Sequence, residues 1–316
     1  MAKQQKKFIL TAIKLCVSGT LIYWILQNTN LAEIFSVIGS VNLFLILVAT
    51  FLKFLGYYVS ALRWRILLKA QGINASIHFL FQSYVVTSFF NNFLPSIIGG
   101  DTVRAYDSWR LGTGKVGAVA VIFIDRFLGL LALILFAVSA MFMSRQLSAH
   151  LPFLHLWMLL GTTVMISIIW MVFMPSEKIL MLIKTLRFPY SQLLKNFLAK
   201  IINPFLAFQG QKDILYRAFG LSVLLQTNVI IHFYLIAMAL EFPIPFNHFF
   251  LIIPLSIFIM MLPISINGIG IRESIFAFFF LSYGVSKPEA VAFAWLVYGI
   301  TILQGVVGGI VYALRK

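Results

Sequence analysis

The sequence predicts an all-α, polytopic helical membrane protein with two re-entrant, broken-helix hairpins arranged as an inverted repeat. Three observations lead to this prediction. Hydrophobic residues make up 61% of the 316 residues and charged residues only 10%, whereas a soluble globular domain has about 25% charged residues. Several apolar runs reach the roughly 20 residues that a helix needs to cross the hydrocarbon core. Two further apolar regions are interrupted by proline and glycine.

The apolar runs predict helices because no alternating barrel pattern is present and an isolated strand leaves its backbone unsatisfied in lipid. The whole chain, 1–316, is predicted to be a single transmembrane domain. The first run lacks a small-residue cleavage site, which favours a retained helix over a signal peptide. The predicted spans are 8–27, 43–65, 116–143, 153–174, 214–240 and 289–313.

The net charge of +15 predicts basic cytoplasmic loops and attraction to anionic lipids. No basic run interleaved with aromatic residues favours nucleic acid as a partner. Cys16 is the only cysteine, so an intramolecular disulfide is excluded. None of the five histidines lies in a zincin-like motif. We therefore expect neither a metal nor a cofactor.

The distribution of basic residues predicts the topology. The N-terminus carries Lys3, Lys6 and Lys7, whereas loop 28–42 has no Lys or Arg, which predicts a cytoplasmic N-terminus. The loop after the second span is predicted to be cytoplasmic because of Arg63, Arg65 and Lys69. Arg315 and Lys316 predict a cytoplasmic C-terminus. The expected location is the plasma (inner) membrane.

Segment 175–213 is predicted to be a cytoplasmic or interfacial helical segment. It holds six basic residues against two acids. Its apolar residues mark one helical face, which suits a helix lying in the interface or a cap packed on the bundle. The basic residues are Lys178, Lys184, Arg187, Lys195, Lys200 and Lys212.

Regions 77–113 and 246–283 are too long for one span and too broken for two. Counting spans between cytoplasmic segments makes each region a hairpin that enters and leaves by the same membrane face. Proline removes a helical hydrogen bond, and glycine permits positive φ or close backbone approach. The predicted break residues are Pro95, Gly99 and Gly100 in the first hairpin and Pro263, Gly268 and Gly270 in the second.

The two breaks resemble each other in sequence. "LPSIIGGDTVR" (94–104) and "LPISINGIGIR" (262–272) match at five positions with one offset of 168. Downstream, "KVGAVA" and "KPEAVA" match at an offset of 172. The pattern predicts a first repeat of about 43–143 and a second of about 214–313, and inverted repeats of this type place substrate at their breaks. Chance similarity of two helix-breaking loops is the alternative.

The candidate substrate-binding residues cluster around the breaks. Arg104 and Arg272 hold matched places in the repeat and could fork onto phosphate oxygens, aided by helix N-termini that attract phosphate. Asp101 and Glu273 could bind substrate, cap helices or only neutralise the arginines. The structural alternative for all four is mutual neutralisation.

Further charged residues lie deep within predicted spans. Asp125 could hold Arg104 or Arg272, Arg126 could meet the substrate, and Lys53 could face the site or snorkel outward. Cations outnumber acids slightly in this set, which favours an anionic substrate. The remaining candidates are Asn91, Asn92 and Asn267. We expect them to cap the backbone at the breaks rather than to bind substrate directly.

"NNFLPSIIGGDTVRAY" (91–106) resembles a signature of the lysylphosphatidylglycerol synthase transmembrane region, also called the flippase-like or UPF0104 family. "LPISINGIGIRES" is similar to the second signature of that family. The resemblance implies lipid translocation: in multiple peptide resistance factors this module flips aminoacylated phosphatidylglycerol, and archaeal relatives are linked to polyprenyl-phosphate-linked sugars. A separate soluble domain performs aminoacyl transfer in the former, and we expect no such domain here.

We therefore expect a lipid flippase whose partners are membrane lipids and whose substrate is an anionic or phosphate-headed lipid. Because the repeat is inverted, both membrane faces are expected to present similar phosphate sites. Two alternatives remain. A membrane-embedded transferase acting on a lipid-linked sugar would use Asp101, Asp107 and Asp125, and a transporter of a soluble anion would use the same arginines.

Overall fold

A computed structural model describes residues 30–93, 99–143 and 210–315 apart from Pro263 and Ile266, together with isolated positions in 19–27, 156–166 and 204–208. Helices form the regular structure of these residues, and no strand occurs among them. The all-α fold class is thus confirmed. A π-helical turn, Trp109–Thr113, joins two of the helices. The α-helices of the continuous stretches are α1 (Leu31–Gly39), α2 (Leu43–Ala70), α3 (Ile77–Phe93), α4 (Gly99–Ser108), α5 (Gly114–Met143), α6 (Lys212–Ala239), α7 (Phe246–Met260), α8 (Ile271–Leu281) and α9 (Lys287–Leu314).

Four helical stretches are long and apolar enough to cross a membrane. They are Leu43–Ala70, Gly100–Ala140, Lys212–Ala239 and Lys287–Leu314, and they confirm the predicted spans 43–65, 116–143, 214–240 and 289–313. The protein is therefore a multi-pass helical membrane protein. The predicted spans 8–27 and 153–174 and the segment 175–213 lie outside the described residues, apart from isolated positions and the start of α6.

Helix α2 continues through the basic cluster that was predicted to form a loop. Arg63, Arg65 and Lys69 all lie on the helix rather than in a loop after it, so their assignment to a loop is wrong, while the membrane face on which they lie stays a prediction. Arg63 is only 5% exposed, whereas Arg65 and Lys69 are exposed. Positions two apart on a helix point about 200° apart, which explains why one arginine is buried and the next is not.

The second proline-containing region is divided into separate helices, as predicted, because α7 ends at Met260 and α8 begins at Ile271. In the first region, α3 is described to Phe93 and α4 from Gly99, and residues 94–98 lie outside the described residues. Pro263 also lies outside them. The re-entrant path of both hairpins remains a prediction.

The break glycines serve two different purposes. Gly268 and Gly270 have φ values of 73° and 83°, a left-handed conformation that glycine adopts without a steric penalty. Gly100 is helical instead, and a Cβ atom there would overlap the side chains of Thr87 and Asn91. The first break therefore uses glycine for close packing and the second uses it for backbone conformation.

The order and lengths of the helices occur twice along the chain. Helices α2 and α6 both have 28 residues and begin 169 residues apart, at Leu43 and Lys212. A medium helix of 17 or 15 residues follows, then a short helix of 10 or 11 and a long helix of 30 or 28. This recurrence extends well beyond the two matching motifs and supports an internal repeat.

The chain forms two compact units, and each is assembled from separate stretches. The first unit comprises the described parts of 1–56, 85–100 and 227–316, and the second comprises those of 57–84 and 101–226. Helices α2, α3 and α6 each contribute one part to each unit. Each unit therefore combines residues from both predicted repeats, and the units do not coincide with the repeats.

In the first unit, the N-terminal half of α2 packs antiparallel to the C-terminal half of α6. Asn42 N donates to Ala239 O at 3.1 Å, and His232 Nδ1 lies 2.8 Å from Ala49 O. Residue numbers therefore rise along one helix as they fall along the other. The histidine contact is a side-chain hydrogen bond between the two helices. The core beside it contains stacked and edge-on phenylalanines, with Phe276, Phe280 and Phe293 at its centre.

The second unit shows the same antiparallel pairing between the other halves of α2 and α6. Gln211 Nε2 donates to Ala70 O at 2.9 Å, and Arg63 Nη1 donates to Ser222 Oγ at 2.8 Å. Adding the 169-residue displacement to Asn42 and subtracting it from Ala239 gives Gln211 and Ala70. The terminal contacts of the two helices are thus equivalent in the two units.

Glycines on α9 allow α3 to approach closely within the first unit. A Cβ atom on Gly308 would overlap the Val85 carbonyl oxygen and lie 3.0 Å from Ser88 Oγ. A Cβ atom on Gly309 would lie 2.9 Å from the Phe89 ring. Small residues permit such close backbone contact between membrane helices.

We expect Gly308→Ala to lower the thermal stability of the detergent-solubilised protein, because the methyl group meets backbone that cannot rotate away. Gly299→Ala on the same helix is the matched control, since nothing lies within 4 Å of its Cβ position and alanine favours helix by about 1 kcal/mol over glycine. The midpoint of thermal unfolding, followed by intrinsic fluorescence, distinguishes the two. Equal shifts for both variants would contradict the close-packing explanation.

A polar contact links the start of α7 to the residues that follow α8. Tyr283 Oη lies 2.8 Å from His248 Nδ1. Partial burial lowers the pKa of His248 below its usual 6.5 and raises the pKa of Tyr283 to about 12. His248 is therefore neutral at neutral pH, and its Nδ1 atom shares a hydrogen bond with the Tyr283 hydroxyl.

Acidification is expected to weaken this contact. A histidine whose pKa is depressed by folding contributes stability that is present above its unfolded pKa of about 6.5 and is lost as pH falls further. Unfolding midpoints measured from pH 8 to pH 5 should therefore fall more steeply for the wild type than for His248→Phe. Identical pH profiles would show that His248 does not contribute.

Candidate functional site

Arg104, on α4, is buried in the second unit beside a carboxylate. Its Nη2 atom lies 2.8 Å from Asp125 Oδ2, and the side chain of Arg104 is 4% exposed. Arg63 Nε contacts the other carboxylate oxygen, Asp125 Oδ1, at 2.6 Å. One buried carboxylate on α5 therefore serves two buried guanidinium groups from different helices.

Aromatic rings enclose the Arg104 guanidinium. Its Cζ atom lies 4.2 Å from the Tyr84 ring centroid and 4.8 Å from that of Trp64, within the range of cation–π attraction. Tyr84 Oη also donates to Asp125 Oδ2 at 3.0 Å. The Arg104 Nε and Trp64 Nε1 atoms are buried without a partner among the described residues. The ring faces and Asp125 thus occupy much of the guanidinium surface.

Two further predicted residues pair at the edge of this cluster. Arg126 Nε contacts Asp101 Oδ2, and Asp101 Oδ1 lies 3.8 Å from Arg104 Nη1. The Arg126 side chain is 42% exposed. Asp101 lies in the first turn of α4, so it balances nearby arginines there. The alternative of mutual neutralisation is thus favoured for Asp101 and Arg104, and Asp125 and Arg126 belong to the same group of ion pairs.

In the first unit, a chain of hydrogen bonds joins Lys53 to Arg272. Lys53 Nζ donates to Thr301 Oγ1, and Asn92 Nδ2 donates to the Thr301 carbonyl at 2.7 Å. Asn267 Nδ2 donates to Asn92 O at 2.8 Å. Arg272 Nη2 then donates to Asn267 O at 3.0 Å. The chain connects both helix breaks, since Asn92 precedes the first break and Asn267 lies within the second.

The two cations of this chain differ from the arginines of the second unit in their ion pairing. Among the residues that the structure describes, neither Lys53 nor Arg272 forms an ion pair with Asp or Glu. The neighbouring Glu273 accepts from Gly270 N at 2.7 Å and caps α8. We refer to Lys53 and Arg272 as the first-unit cation pair.

Arg272 also keeps an unused donor. Its Cζ atom lies 4.8 Å from the Tyr298 ring centroid, and its Nη1 atom has no hydrogen-bond partner among the described residues. Both Arg272 and Lys53 are half-buried. A buried donor without an acceptor is costly, so an anion that reached this nitrogen would be stabilised.

Arg104 and Arg272 differ in what they contact on the long helix that follows. Arg104 on α4 pairs with Asp125 on α5, whereas Arg272 on α8 contacts the ring of Tyr298 on α9. One short helix thus meets a carboxylate and the other an aromatic ring.

The structure places the predicted site residues in two groups. Asp101, Arg104, Asp125 and Arg126 lie in the second unit, and Lys53, Asn92, Asn267 and Arg272 lie in the first. Asn91 Oδ1 accepts from Gly100 N at 2.9 Å, as expected of a backbone cap at a break. The sequence reasoning missed Arg63, Trp64, Tyr84, Tyr298 and Thr301. The helical continuation of α2 could have indicated Arg63, but no pattern indicated the aromatic residues or Thr301.

The acidic residues proposed for the alternative transferase reaction have structural contacts. Asp107 accepts from Ser83 Oγ at 2.5 Å, and Asp125 is shared between Arg63 and Arg104. Within the described part of the chain, no group of three or more His, Cys, Asp or Glu residues could hold a metal ion. These positions favour ion pairing over acid–base work.

These helices and their buried charged clusters define a multi-pass α-helical membrane protein with polar sites at helix breaks. The profile of the family described as "Lysylphosphatidylglycerol synthase TM region" matches residues 11–309. The chain therefore belongs to this family, and the resemblance of its two motifs is confirmed. It is similar to the UPF0104 membrane protein PH1989 of Pyrococcus horikoshii, with 24% identity over 310 residues, covering 92% of this chain and 91% of the relative.

We expect Asp125→Asn to destabilise the protein strongly, because it leaves Arg63 and Arg104 buried without a counter-charge. Removing one member of a buried ion pair typically costs about 3–5 kcal/mol. Glu241→Gln, at an exposed turn, removes one negative charge at the surface and is the control. Thermal unfolding in detergent should show a large loss only for the first variant. A small, equal effect would contradict the structural role of Asp125.

Proposed function

We propose that this protein is a lipid translocase that moves an anionic or phosphate-headed lipid across the membrane. The observation that carries the proposal is the first-unit cation pair, which has no acidic partner among the described residues. Ionisable groups within membrane proteins are costly and commonly mark substrate pathways. An anion bound to Lys53 and Arg272 would supply the missing counter-charge.

Several properties of the pair suit a phosphate group. A guanidinium can donate two parallel hydrogen bonds to phosphate oxygens, and Arg272 has one buried nitrogen without a partner within the described structure. The pair lies at the helix breaks, where Asn267 and Arg272 meet through the Asn267 carbonyl. Half-burial of both cations leaves a route for a headgroup while the lipid chains remain in the bilayer.

The helix arrangement supports a transport cycle based on an inverted repeat. Helices α2 and α6 begin equivalent halves of the chain and run antiparallel within each unit, as expected if the two repeats cross the membrane in opposite directions. Inverted repeats with broken helices occur in many secondary transporters. We propose that one repeat rocks against the other in a plasma (inner) membrane, with both termini in the cytoplasm.

Family membership supports a lipid as the substrate. The family description refers to a synthase of lysylphosphatidylglycerol, which is a phospholipid derivative. The two arginines have different roles in this proposal. Arg272, with Lys53, receives the headgroup, whereas Arg104 stabilises the second unit through Asp125. One anion site replaces the two similar sites expected from the sequence.

Reconstituted translocation tests the proposal. The purified protein is placed in liposomes containing fluorescent phosphatidylglycerol or phosphatidylcholine, and dithionite bleaching follows transfer between leaflets. We expect transfer of the anionic lipid, and a loss of about tenfold or more for Arg272→Ala, because a charged hydrogen bond to the headgroup disappears. Thermal stability should change little, since Arg272 lacks an ion pair within the described structure.

Arg217→Ala is the matched control, because Arg217 is exposed and the substitution removes the same side chain. It should retain wild-type transfer. Absence of transfer by the wild type for every anionic lipid tested would refute the proposed function. Normal transfer by folded Arg272→Ala protein would refute the role of the first-unit cation pair.

A further inference from the structure

A cleft in the second unit combines apolar walls with two cations. Its volume is about 440 Å³, within the roughly 300–1,000 Å³ of ligand pockets. Leu62 and Ile66 of α2 and Leu221 of α6 form apolar parts of its lining, and its charged residues are Arg65 and Lys69 of α2. The cleft lies in a different unit from the first-unit cation pair.

The spacing on α2 places the cations and the apolar residues on one helical face. Positions 62, 65, 66 and 69 are three or four residues apart, as neighbours on one face of a helix are. Arg65 and Lys69 are both exposed, and neither forms an ion pair among the described residues. Like charges four residues apart destabilise a helix, and an anion between them would relieve the repulsion.

The end of α2 is satisfied without these two cations. Basic side chains near a helix C-terminus often hydrogen-bond its last carbonyl groups. Here Lys69 O accepts from Gly72 N at 3.0 Å, and Ala70 O accepts from Gln211 Nε2 at 2.9 Å. Gly72 has a φ of 77°, a conformation that ends a helix in this way. The basic side chains are therefore not used as caps and can bind a ligand.

The length of α2 brings its basic end to the level of the lipid headgroups. The helix has 28 residues and is therefore about 42 Å long, whereas the hydrocarbon core is about 30 Å thick. The first ten residues, 43–52, are uncharged, so the end with Arg65 and Lys69 is the one that extends beyond the hydrocarbon. Basic pockets between membrane helices at this level bind anionic headgroups.

The adjoining end of α6 adds a further excess of basic residues. There Lys212 and Arg217 outnumber Asp213. Asp213 forms no ion pair with Arg65 or Lys69. The described residues therefore supply no ion-pair partner to the two cations, and a bound anionic ligand would.

We infer that this cleft binds an anionic phospholipid of the surrounding bilayer. The phosphate lies against Arg65 and Lys69, and an acyl chain begins along the apolar residues Leu62, Ile66 and Leu221. Because the lining comes from α2 and α6, the lipid joins the ends of these two helices. The lipid is held at this site rather than translocated, and the inference does not depend on the proposed function.

Native mass spectrometry of the detergent-purified full chain tests the inference, with dioleoyl phosphatidylglycerol and dioleoyl phosphatidylcholine as probes. The measurements use the Arg272→Ala background, which removes the headgroup contact proposed for the first unit. We expect phosphatidylglycerol to bind about tenfold or more tightly than phosphatidylcholine, because two nearby cations attract an anionic lipid by at least that factor. Replacing both cations, by Arg65→Gln and Lys69→Gln, should reduce the preference to about twofold or less.

The matched control combines Arg110→Gln with Lys115→Gln. It also removes one arginine and one lysine at exposed positions of the same unit, and neither residue lines the cleft. This control should keep the preference for phosphatidylglycerol. An equal loss of preference in the two double variants would show a general attraction of basic residues to anionic lipid and would overturn the inference.

Two further measurements test the apolar part of the cleft. Leu221→Trp narrows the cleft while keeping both cations, so it should weaken phosphatidylglycerol binding, and it decides the inference if the double variant does not fold. Glycerophosphoglycerol has the same headgroup without acyl chains and should bind more weakly, since it buries no chain. Unchanged binding by Leu221→Trp, equal binding of the headgroup alone, or equal binding of the two lipids would overturn the inference. Absence of lipid transfer in liposomes would refute the proposed function while this site stands.

Discussion

A positive charge removed from water must be matched by a negative one, and this constraint organises both units of the protein. In the second unit, Asp125 provides the match for Arg63 and Arg104, and the rings of Trp64 and Tyr84 cover the remaining surface of Arg104. In the first unit, Lys53 and Arg272 contact hydroxyl, carbonyl and ring groups instead. The arginines of one cluster are therefore ion-paired, whereas the two cations of the other form no ion pair with Asp or Glu among the described residues.

The repeated helix order shows how such different clusters arise on a common plan. Helices α2 and α6 make equivalent antiparallel contacts at their ends, through Asn42 and Ala239 in the first unit and through Gln211 and Ala70 in the second. The arginine of α4 then contacts Asp125 on α5, and the arginine of α8 contacts Tyr298 on α9. The chemistry diverges at those positions because one holds a carboxylate and the other a phenol.

Composition and periodicity predicted the helical membrane class, and four of the six predicted spans could be checked and were confirmed. These features follow from local hydrophobicity, which a linear sequence records directly. The partner of Asp125 could not be chosen between Arg104 and Arg272, because that choice depends on which helix faces meet. Arg63 was assigned to a loop for a related reason: its burial depends on a carboxylate 62 positions away, which local sequence does not reveal.

Some site residues could likewise be predicted from local sequence, and others depend on the tertiary fold. Asn91 was expected to act as a cap, and a side-chain amide shortly before a proline in an apolar region is a local signal. Thr301 and Tyr298 gave no such signal, since a threonine or tyrosine in an apolar helix usually serves packing. Their relevance comes only from the tertiary fold, which brings α9 against Lys53 and Arg272.

The route from Lys53 through Thr301, Asn92 and Asn267 to Arg272 has a mechanical consequence. Each link is a single hydrogen bond, and one link joins Asn92, which precedes the first break, to Asn267, which lies within the second. A shift of one break relative to the other would lengthen a link and change the spacing of the two cations. Occupancy of the site is thereby coupled to the arrangement of the two helix breaks. A ligand that fits only one spacing of the cations would hold the breaks in one conformation.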